Sequence, residues 1–275
     1  MKFLSKFYIA IIFFILYAPI LVVILFSFNE SGSLSNFTGF TLYWYKDLFR
    51  NSEAISALKN SLFLAVSSSL LATVIGTLAA CSIAHSKSKF YKNTMRSVSN
   101  IPMMNPDIVT GVSMMLLFVG VAAIIGLSDS LGMWTMLLAH TTFNLPYVIL
   151  SILPKFKQMD KNLIEAALDL GCTPTQTFFK VELPGILPGI ISGLMMGFTL
   201  SLDDFVISHF VSSPDFKTLP LYIYNQTAHE VKFSMYALCT LMIVAILLLL
   251  IAVNLADNRK ENRKAKKAIK GGRTI

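Results

Sequence analysis

The sequence has 275 residues, of which 55% are hydrophobic and only 14% are charged, and its formal net charge is +8. Soluble domains carry about a quarter charged residues, so this composition excludes an ordinary soluble protein. It favours an integral membrane protein built from apolar helices.

Six apolar stretches with few or no charges predict transmembrane helices. Each reaches the roughly 20 residues that a helix needs to cross a hydrocarbon core about 30 Å thick. Backbone groups find no water in that core, so each stretch must close its hydrogen bonds internally. The predicted spans, in chain order, are 7–28, 62–84, 101–125, 131–153, 184–211 and 233–256. We therefore predict an all-α protein with a single transmembrane domain over residues 1–275. The first span is longer than the apolar core of a typical secretory signal, so we expect it not to be cleaved.

The basic residues predict the orientation of these spans. With both termini in the cytoplasm, all but five of the 23 Lys and Arg residues lie on the cytoplasmic side, as the positive-inside rule favours. The basic tail, 257–275, then acts as an orientation determinant and a contact for membrane lipid headgroups. We expect no nucleic-acid partner for it.

The cytoplasmic segment 155–183, between the fourth and fifth spans, predicts a helical hairpin. Asp160 suits a helix N-cap, and Gly171 suits the left-handed residue that ends a helix. Thr173 and Gln176 have the spacing of a capping box at the start of a second helix. The hairpin has apolar and acidic residues, which suit either an amphipathic element on the membrane surface or a docking surface for a partner protein.

The same segment resembles a motif of a known family. The residues that carry the resemblance are Glu165, Ala166, Ala167, Gly171, Val181, Leu183 and Pro184. Their spacing is similar to the EAA loop of binding-protein-dependent ABC importer permeases, in which this loop docks into a cytoplasmic ATPase subunit. On this resemblance, the expected ATPase-coupling residues are Glu165, Ala166, Ala167, Asp169 and Gly171.

Further segments resemble the permease subunits of spermidine/putrescine importers. These segments are 39–45, 105–109, 198–208 and 219–224. The resemblance implies the type I (MetI-like) permease fold and a location in the bacterial cytoplasmic membrane. It also implies three kinds of protein partner: a sister permease that completes a heterodimer, two copies of an ATP-binding subunit, and an extracytoplasmic solute-binding protein.

The chain lacks the Gly-x4-Gly-Lys-Ser/Thr phosphate loop, so we expect ATP and Mg²⁺ to be bound by the partner ATPase and not by this chain. We expect no catalytic residue, cofactor or metal site in this chain. His140 and His209 lack companions at metal-ligand spacing and are expected to be packed polar groups.

Three acidic residues in or near the spans are candidates for the substrate pathway: Asp107, Asp203 and Asp204. A charge at the bilayer centre costs about 2.5–3.5 kcal/mol, so such residues usually face the protein or a water-filled path. Carboxylates could offset the lost hydration of a polyamine's ammonium groups. Alternatively, Asp203 and Asp204 bind backbone groups where a helix ends, and Asp107 lies in the first turn of a helix that Asn105 caps.

Small residues recur at every fourth position of the fifth span, including Gly189, Gly193 and Gly197. This spacing lets helix backbones approach closely inside a membrane. The stripe could contact the sister subunit, form a sliding seam during transport, or pack against another helix of the same chain.

Together these features predict the permease subunit of an ATP-driven importer, for polyamines or for another small solute. A stand-alone secondary transporter or channel is the alternative, since it would also show six spans and buried acids. An intramembrane hydrolase is disfavoured, because the sequence has neither a His-Glu-x-x-His nor a Gly-x-Ser-x-Gly motif.

Overall fold

The computed structural model describes residues 2–33, 36–126, 131–228, 232–248 and 251. These residues are mainly helical, and they contain no strand beyond two isolated bridges. The chain divides into two compact units, residues 1–52 with 225–275 and residues 53–224. The helices are α1 (Lys2–Phe26), α2 (Tyr43–Arg50), α3 (Ser52–His85), α4 (Lys89–Met104), α5 (Asp107–Ile125), α6 (Met133–Gln158), α7 (Lys161–Asp169), α8 (Pro174–Thr177), α9 (Leu183–Asp203), α10 (Val206–Val211), α11 (Leu219–Thr227) and α12 (Phe233–Leu248).

Five helical segments of the described chain are long and apolar enough to cross a membrane. They are Lys6–Phe26, Ser52–His85, Asp107–Ile125, Met133–Gln158 and Pro174–Asp203. This confirms the predicted all-α membrane architecture. Of the sixth predicted span, 233–256, the structure describes α12 and residue 251. The other residues of that span lie outside the described part of the chain.

The second and third predicted spans differ from the helices of the structure. α3 has 34 residues, about 50 Å at 1.5 Å per residue, so it extends beyond the hydrocarbon core. The stretch 101–125 is interrupted between α4 and α5, where Asn105 takes an extended ψ of 140°. A proline at the next position disfavours helical backbone, which explains the interruption. The expected restart is present, but its N-cap is Pro106 and not Asn105 as predicted.

In the first unit, the buried side chain of Asn29 organises the segment between α1 and α2. Its Nδ2 donates to the carbonyl oxygens of Ser33 and Asn36, at 2.8 and 2.9 Å. The indole Nε1 of Trp44, on α2, donates to the carbonyl of Asn29 at 2.8 Å. These bonds stabilise a compact loop where α1 ends.

In the second unit, the small-residue stripe of α9 packs against α6. A Cβ added at Gly189 would lie 2.7 Å from Cγ of Lys155 and 2.9 Å from the carbonyl oxygen of Ser151. A Cβ at Gly193 would lie 3.2 Å from the Cα of Val148. Only glycine permits this approach of two backbones, so the structure supports the packing of the stripe within the chain.

Candidate functional site

The hairpin, residues 155–183, is shaped by caps at both ends of α7. The carboxylate of Asp160 accepts a hydrogen bond from the backbone N–H of Asn162 at 3.0 Å. After α7, Gly171 has a φ of +85°, and the N–H of Cys172 donates to the carbonyl of Ala167 at 3.1 Å. This backbone bond across a left-handed residue is a Schellman motif. The N-cap and the C-terminal glycine that the sequence predicted are both confirmed.

The second arm of the hairpin begins with the predicted capping box. Gln176 donates its backbone N–H to the hydroxyl of Thr173 at 3.3 Å, and its side-chain oxygen accepts from the N–H of Thr173 at 3.2 Å. α8 then runs through one turn of π-helix, Phe178–Glu182, directly into α9. The hairpin is therefore joined to a transmembrane helix without a flexible linker.

The candidate coupling residues do not all face outward. Glu165, Ala166, Asp169 and Gly171 are exposed, whereas Ala167 is buried at 9% exposure. Ala167 therefore packs inside the hairpin and is not available to a partner. Leu170, beside the turn, is 86% exposed. The hairpin thus presents two carboxylates and a protruding leucine, the kind of rigid surface that can fill a groove on another protein.

A second group of polar residues lies among the membrane helices of the second unit, and we call it the polar cluster: Ser68, His140, Asn144, Ser201, Asp204 and Ser208. The hydroxyl of Ser201 is 2.8 Å from that of Ser68 and accepts a hydrogen bond from Nδ2 of Asn144, also at 2.8 Å. These bonds join α3, α6 and α9. Hydrogen bonds between polar side chains are worth about 0.6 kcal/mol each on average inside a membrane protein.

Asp204 lies where α9 ends. The residue takes an extended ψ of 121°, and its carboxylate accepts hydrogen bonds from the N–H groups of Ile207 and Ser208, at 3.3 and 2.8 Å. Nε2 of His140 is 3.5 Å from the same carboxylate and 3.1 Å from the hydroxyl of Ser208. Asp204, one position before the N-cap Phe205, therefore binds two N–H groups in the first turn of α10, which is the structural alternative to its role as a pathway residue.

The break at Asp204 also divides the predicted fifth span. The stretch 184–211 is two helices, α9 and α10, and not one. Asp203 is exposed at the end of α9 and stays a pathway candidate. Asp107 is exposed in the first turn of α5, where its carboxylate favours the helix dipole. The structure thus separates the three acids into one cap and two exposed groups.

Sequence reasoning found only part of the polar cluster. His140 was expected to be a packed polar group, and its side chain is fully buried. Ser68 and Asn144 were not singled out, although an amide in the middle of an apolar stretch is a usable signal, since buried amides need partners. The partner of Asn144 lies 57 residues away, so the contact itself has no local signal.

Comparison with known proteins identifies the family. The family described as "Binding-protein-dependent transport system inner membrane component" matches residues 72–262, more than half of the chain. The chain belongs to this family. It is therefore a membrane-embedded subunit of a transport system, as its resemblance to the permeases implied.

Several relatives are similar over most of their length. The putrescine transport system permease protein PotI of Escherichia coli (strain K12) is 39% identical over 85% of this chain and 83% of the relative. The spermidine/putrescine transport system permease protein PotC of the same strain is 36% identical, over 89% and 90%. The PotC protein of Haemophilus influenzae is 37% identical, over 94% and 98%.

Solved structures share the fold. One chain of a bacterial ABC transporter involved in the import of alginate aligns with a TM-score of 0.75 at 18% identity, covering 94% of this chain and 95% of that chain. A chain of the MetNI methionine ABC transporter in an inward-facing conformation aligns with a TM-score of 0.61 at 19% identity, covering 80% and 96%. These likenesses confirm the predicted permease fold.

Proposed function

We propose that this chain is one of two permease subunits of an ATP-driven importer of spermidine, putrescine or both, located in a bacterial cytoplasmic membrane with both termini inside. The observation that carries the proposal is the 36–39% identity to polyamine permeases over 85% of the chain or more. The excess of basic residues in the predicted cytoplasmic segments supports the orientation.

The hairpin supplies a means of coupling to ATP hydrolysis in a separate subunit. Its caps hold α7 and α8 in one arrangement, and α8 continues into α9 through the π-helical turn. A movement of α7 would therefore be transmitted to a transmembrane helix, because no flexible loop lies between α8 and α9. In this proposal Glu165 and Asp169 contact the ATPase, Gly171 makes the turn, and the ATPase holds ATP and Mg²⁺.

The proposed assembly has a sister permease, two copies of the ATPase and an external solute-binding protein. Two of the structural relatives support these kinds of partner. One is a bacterial alginate ABC transporter in complex with a periplasmic protein that carries an alginate pentasaccharide, and another is the MetNI methionine ABC transporter.

Asp203 is the proposed contact for a polyamine ammonium group in the pathway. It is exposed at the break between α9 and α10, whereas the neighbouring Asp204 is engaged by two backbone N–H groups and approached by His140. A carboxylate free of such bonds can pair with a passing cation and release it, which transport requires. Asp107 is the second exposed candidate.

Uptake of labelled spermidine and putrescine tests the proposal, in cells that cannot synthesise polyamines and that express this chain with its proposed partners. We expect Glu165→Ala to reduce uptake strongly, because removing a central interface residue costs about 2 kcal/mol, or roughly 30-fold in affinity. Asp215→Ala is the control, since Asp215 is an exposed carboxylate outside the hairpin. Failure of both polyamines to enter, with the complex intact, would overturn the polyamine assignment.

A further inference from the structure

A second cluster of ionisable side chains lies outside the hairpin's exposed face and outside the polar cluster. Cys81 and His85 are one turn apart on α3, so both project from the same side of that helix. Glu182 ends the π-helical turn that precedes α9, 97 residues after His85. One donor atom from each residue, a sulfur, a ring nitrogen and a carboxylate oxygen, lies within 4.8 Å of the other two.

We propose that Cys81, His85 and Glu182 form a binding site for one divalent transition-metal cation of the Zn²⁺ type. The site would join α3 to the π-helical turn at the end of the hairpin. It does not depend on the identity of the transported solute or on the proposed function.

The imidazole of His85 is oriented as a metal ligand. Its Nδ1 is 3.0 Å from the carbonyl oxygen of Cys81, and its Nε2 is 3.0 Å from Oε1 of Glu182. When Nδ1 carries a proton and donates it to the carbonyl, the lone pair of Nε2 points at a carboxylate oxygen. That pairing is repulsive unless Nε2 carries a proton, which makes an imidazolium–carboxylate ion pair, or a metal cation lies between the two atoms. Metal-bound histidines in proteins commonly donate the other ring N–H to a backbone carbonyl in this way.

Glu182 supplies a carboxylate that needs a further partner. Its side chain is only 5% exposed, and Oε2 has no hydrogen-bond partner among the described residues. A buried charge without full pairing is costly, so a cation at this position would stabilise the site. The π-helical turn that places Glu182 is itself a feature common at functional sites.

The surroundings leave room for a metal and its access route. A cavity of about 570 Å³ is lined by all three residues together with apolar side chains of α3, α7 and the π-helical turn. The side chain of His85 is 50% exposed, which gives an ion a path to the donors. Water in the cavity could complete a four-coordinate shell, as it does at open zinc sites.

The donor types select the class of metal. A thiolate and a carboxylate carry two negative charges, so with neutral imidazole they would leave a bound dication electrically neutral. Sulfur and imidazole ligands favour Zn²⁺ and Co²⁺ over Mg²⁺ and Ca²⁺, which prefer oxygen. Ligand atoms around tetrahedral Zn²⁺ stand roughly 3.3–3.6 Å apart. The three donors lie within 4.8 Å of one another and the sulfur of Cys81 is 3.5 Å from Nδ1 of His85, so binding at Nε2 requires shifts of up to about 1.5 Å. The ammonium of Lys92 binds the carbonyl of Ala84 at 3.0 Å, and this nearby charge would limit the affinity.

Metal titration of the purified full-length chain tests the site, with Co²⁺ as a spectroscopic probe and Zn²⁺ as its competitor. We expect one Co²⁺ per chain with a thiolate-to-metal charge-transfer band. Cys81→Ser should abolish the band. Glu182→Gln should lower the Zn²⁺ affinity, measured by competition with Co²⁺, by at least about tenfold, the usual effect of disturbing a metal site. Cys172→Ser and Cys239→Ser are the matched controls, because both cysteines lie outside the cluster.

A thiol-protection measurement on the unaltered chain removes any dependence on how variants fold. Zn²⁺ should slow alkylation of Cys81 but not of Cys172 in the same molecules, and Mg²⁺ should slow neither. If Zn²⁺ protects both thiols alike, or neither, or if the charge-transfer band survives Cys81→Ser, metal binding at this cluster is contradicted.

Discussion

The hairpin and the break between α9 and α10 both interrupt helical structure with polar residues, but they are held in place differently. In the hairpin, the caps act over two to five residues: Asp160 on Asn162, Thr173 on Gln176, and Cys172 on Ala167. At the break, Asp204 is approached by His140 from a helix 64 positions earlier in the chain. Local bonds can shape a surface that acts on a partner, whereas the intramembrane break depends on how three helices pack.

The packing of α6 against α9, on which the break depends, should tolerate substitution less well than the hairpin. Gly189→Val places side-chain atoms where a Cβ alone would be 2.7 Å from Lys155 and 2.9 Å from a backbone oxygen. We expect a loss of about 1–3 kcal/mol or more, as for other overpacked sites. Thermal denaturation in detergent would show it as a lower midpoint. Gly120→Val is the control, since a Cβ at Gly120 meets no atom within 4 Å among the described residues; equal midpoints would contradict the packing account.

Substitutions of the two neighbouring carboxylates, Asp203 and Asp204, should have different effects: one on transport and the other on stability. Asp204→Ala removes the cap of α10 and should cost up to about 2 kcal/mol of stability, the upper range for caps. Asp203→Ala should leave the denaturation midpoint close to that of the unaltered chain while reducing polyamine uptake, because its carboxylate is exposed. Stability is measured by thermal denaturation and transport by labelled spermidine uptake. A loss of stability in Asp203→Ala equal to that in Asp204→Ala would remove the distinction.

The smallest effect is expected in the hairpin's own caps. Thr173→Ala breaks the capping box and should cost about 1 kcal/mol locally. Hydrogen exchange of the backbone amides of α8 should become faster, while those of α6 stay unchanged. Thr175→Ala is the matched control, since Thr175 is exposed on the same short helix and is not part of the box. Unchanged exchange in Thr173→Ala would show that the box does not stabilise this arm.

Features held by local contacts, as in the hairpin, could be predicted from the sequence, whereas features held by distant contacts, as at the break between α9 and α10, could not. The apolar stretches, both caps of α7 and the capping box were predictable, because each depends on residues within one span or one turn. The single-helix prediction for 184–211 was wrong. The break was missed because Asp203 and Asp204 stand in an apolar run that has no proline or glycine at the break. The predicted cap at Asn105 missed by one residue, an ordinary uncertainty at helix ends.

Contacts between distant residues had no local signal. The bond between Asn144 and Ser201 joins α6 to α9, and the pairing of His85 with Glu182 joins α3 to the turn before α9. Cys81 and His85 have a spacing that suits two ligands on one helix, but their third companion lies 97 residues away. The burial of Ala167 likewise follows from the fold of the hairpin and not from its motif.

The native thiol of Cys172 reports directly on whether an ATPase subunit docks on the hairpin, as we propose. Cys172 lies in the turn next to Gly171, so with Cys81 and Cys239 replaced by alanine it becomes the single reporter of that surface. We expect alkylation of Cys172 to slow several-fold, roughly in proportion to ATPase occupancy, when the ATPase subunit is added. A single cysteine introduced by Asp215→Cys should react at an unchanged rate. Equal alkylation rates of Cys172 with and without bound ATPase would show that the ATPase does not dock on the hairpin.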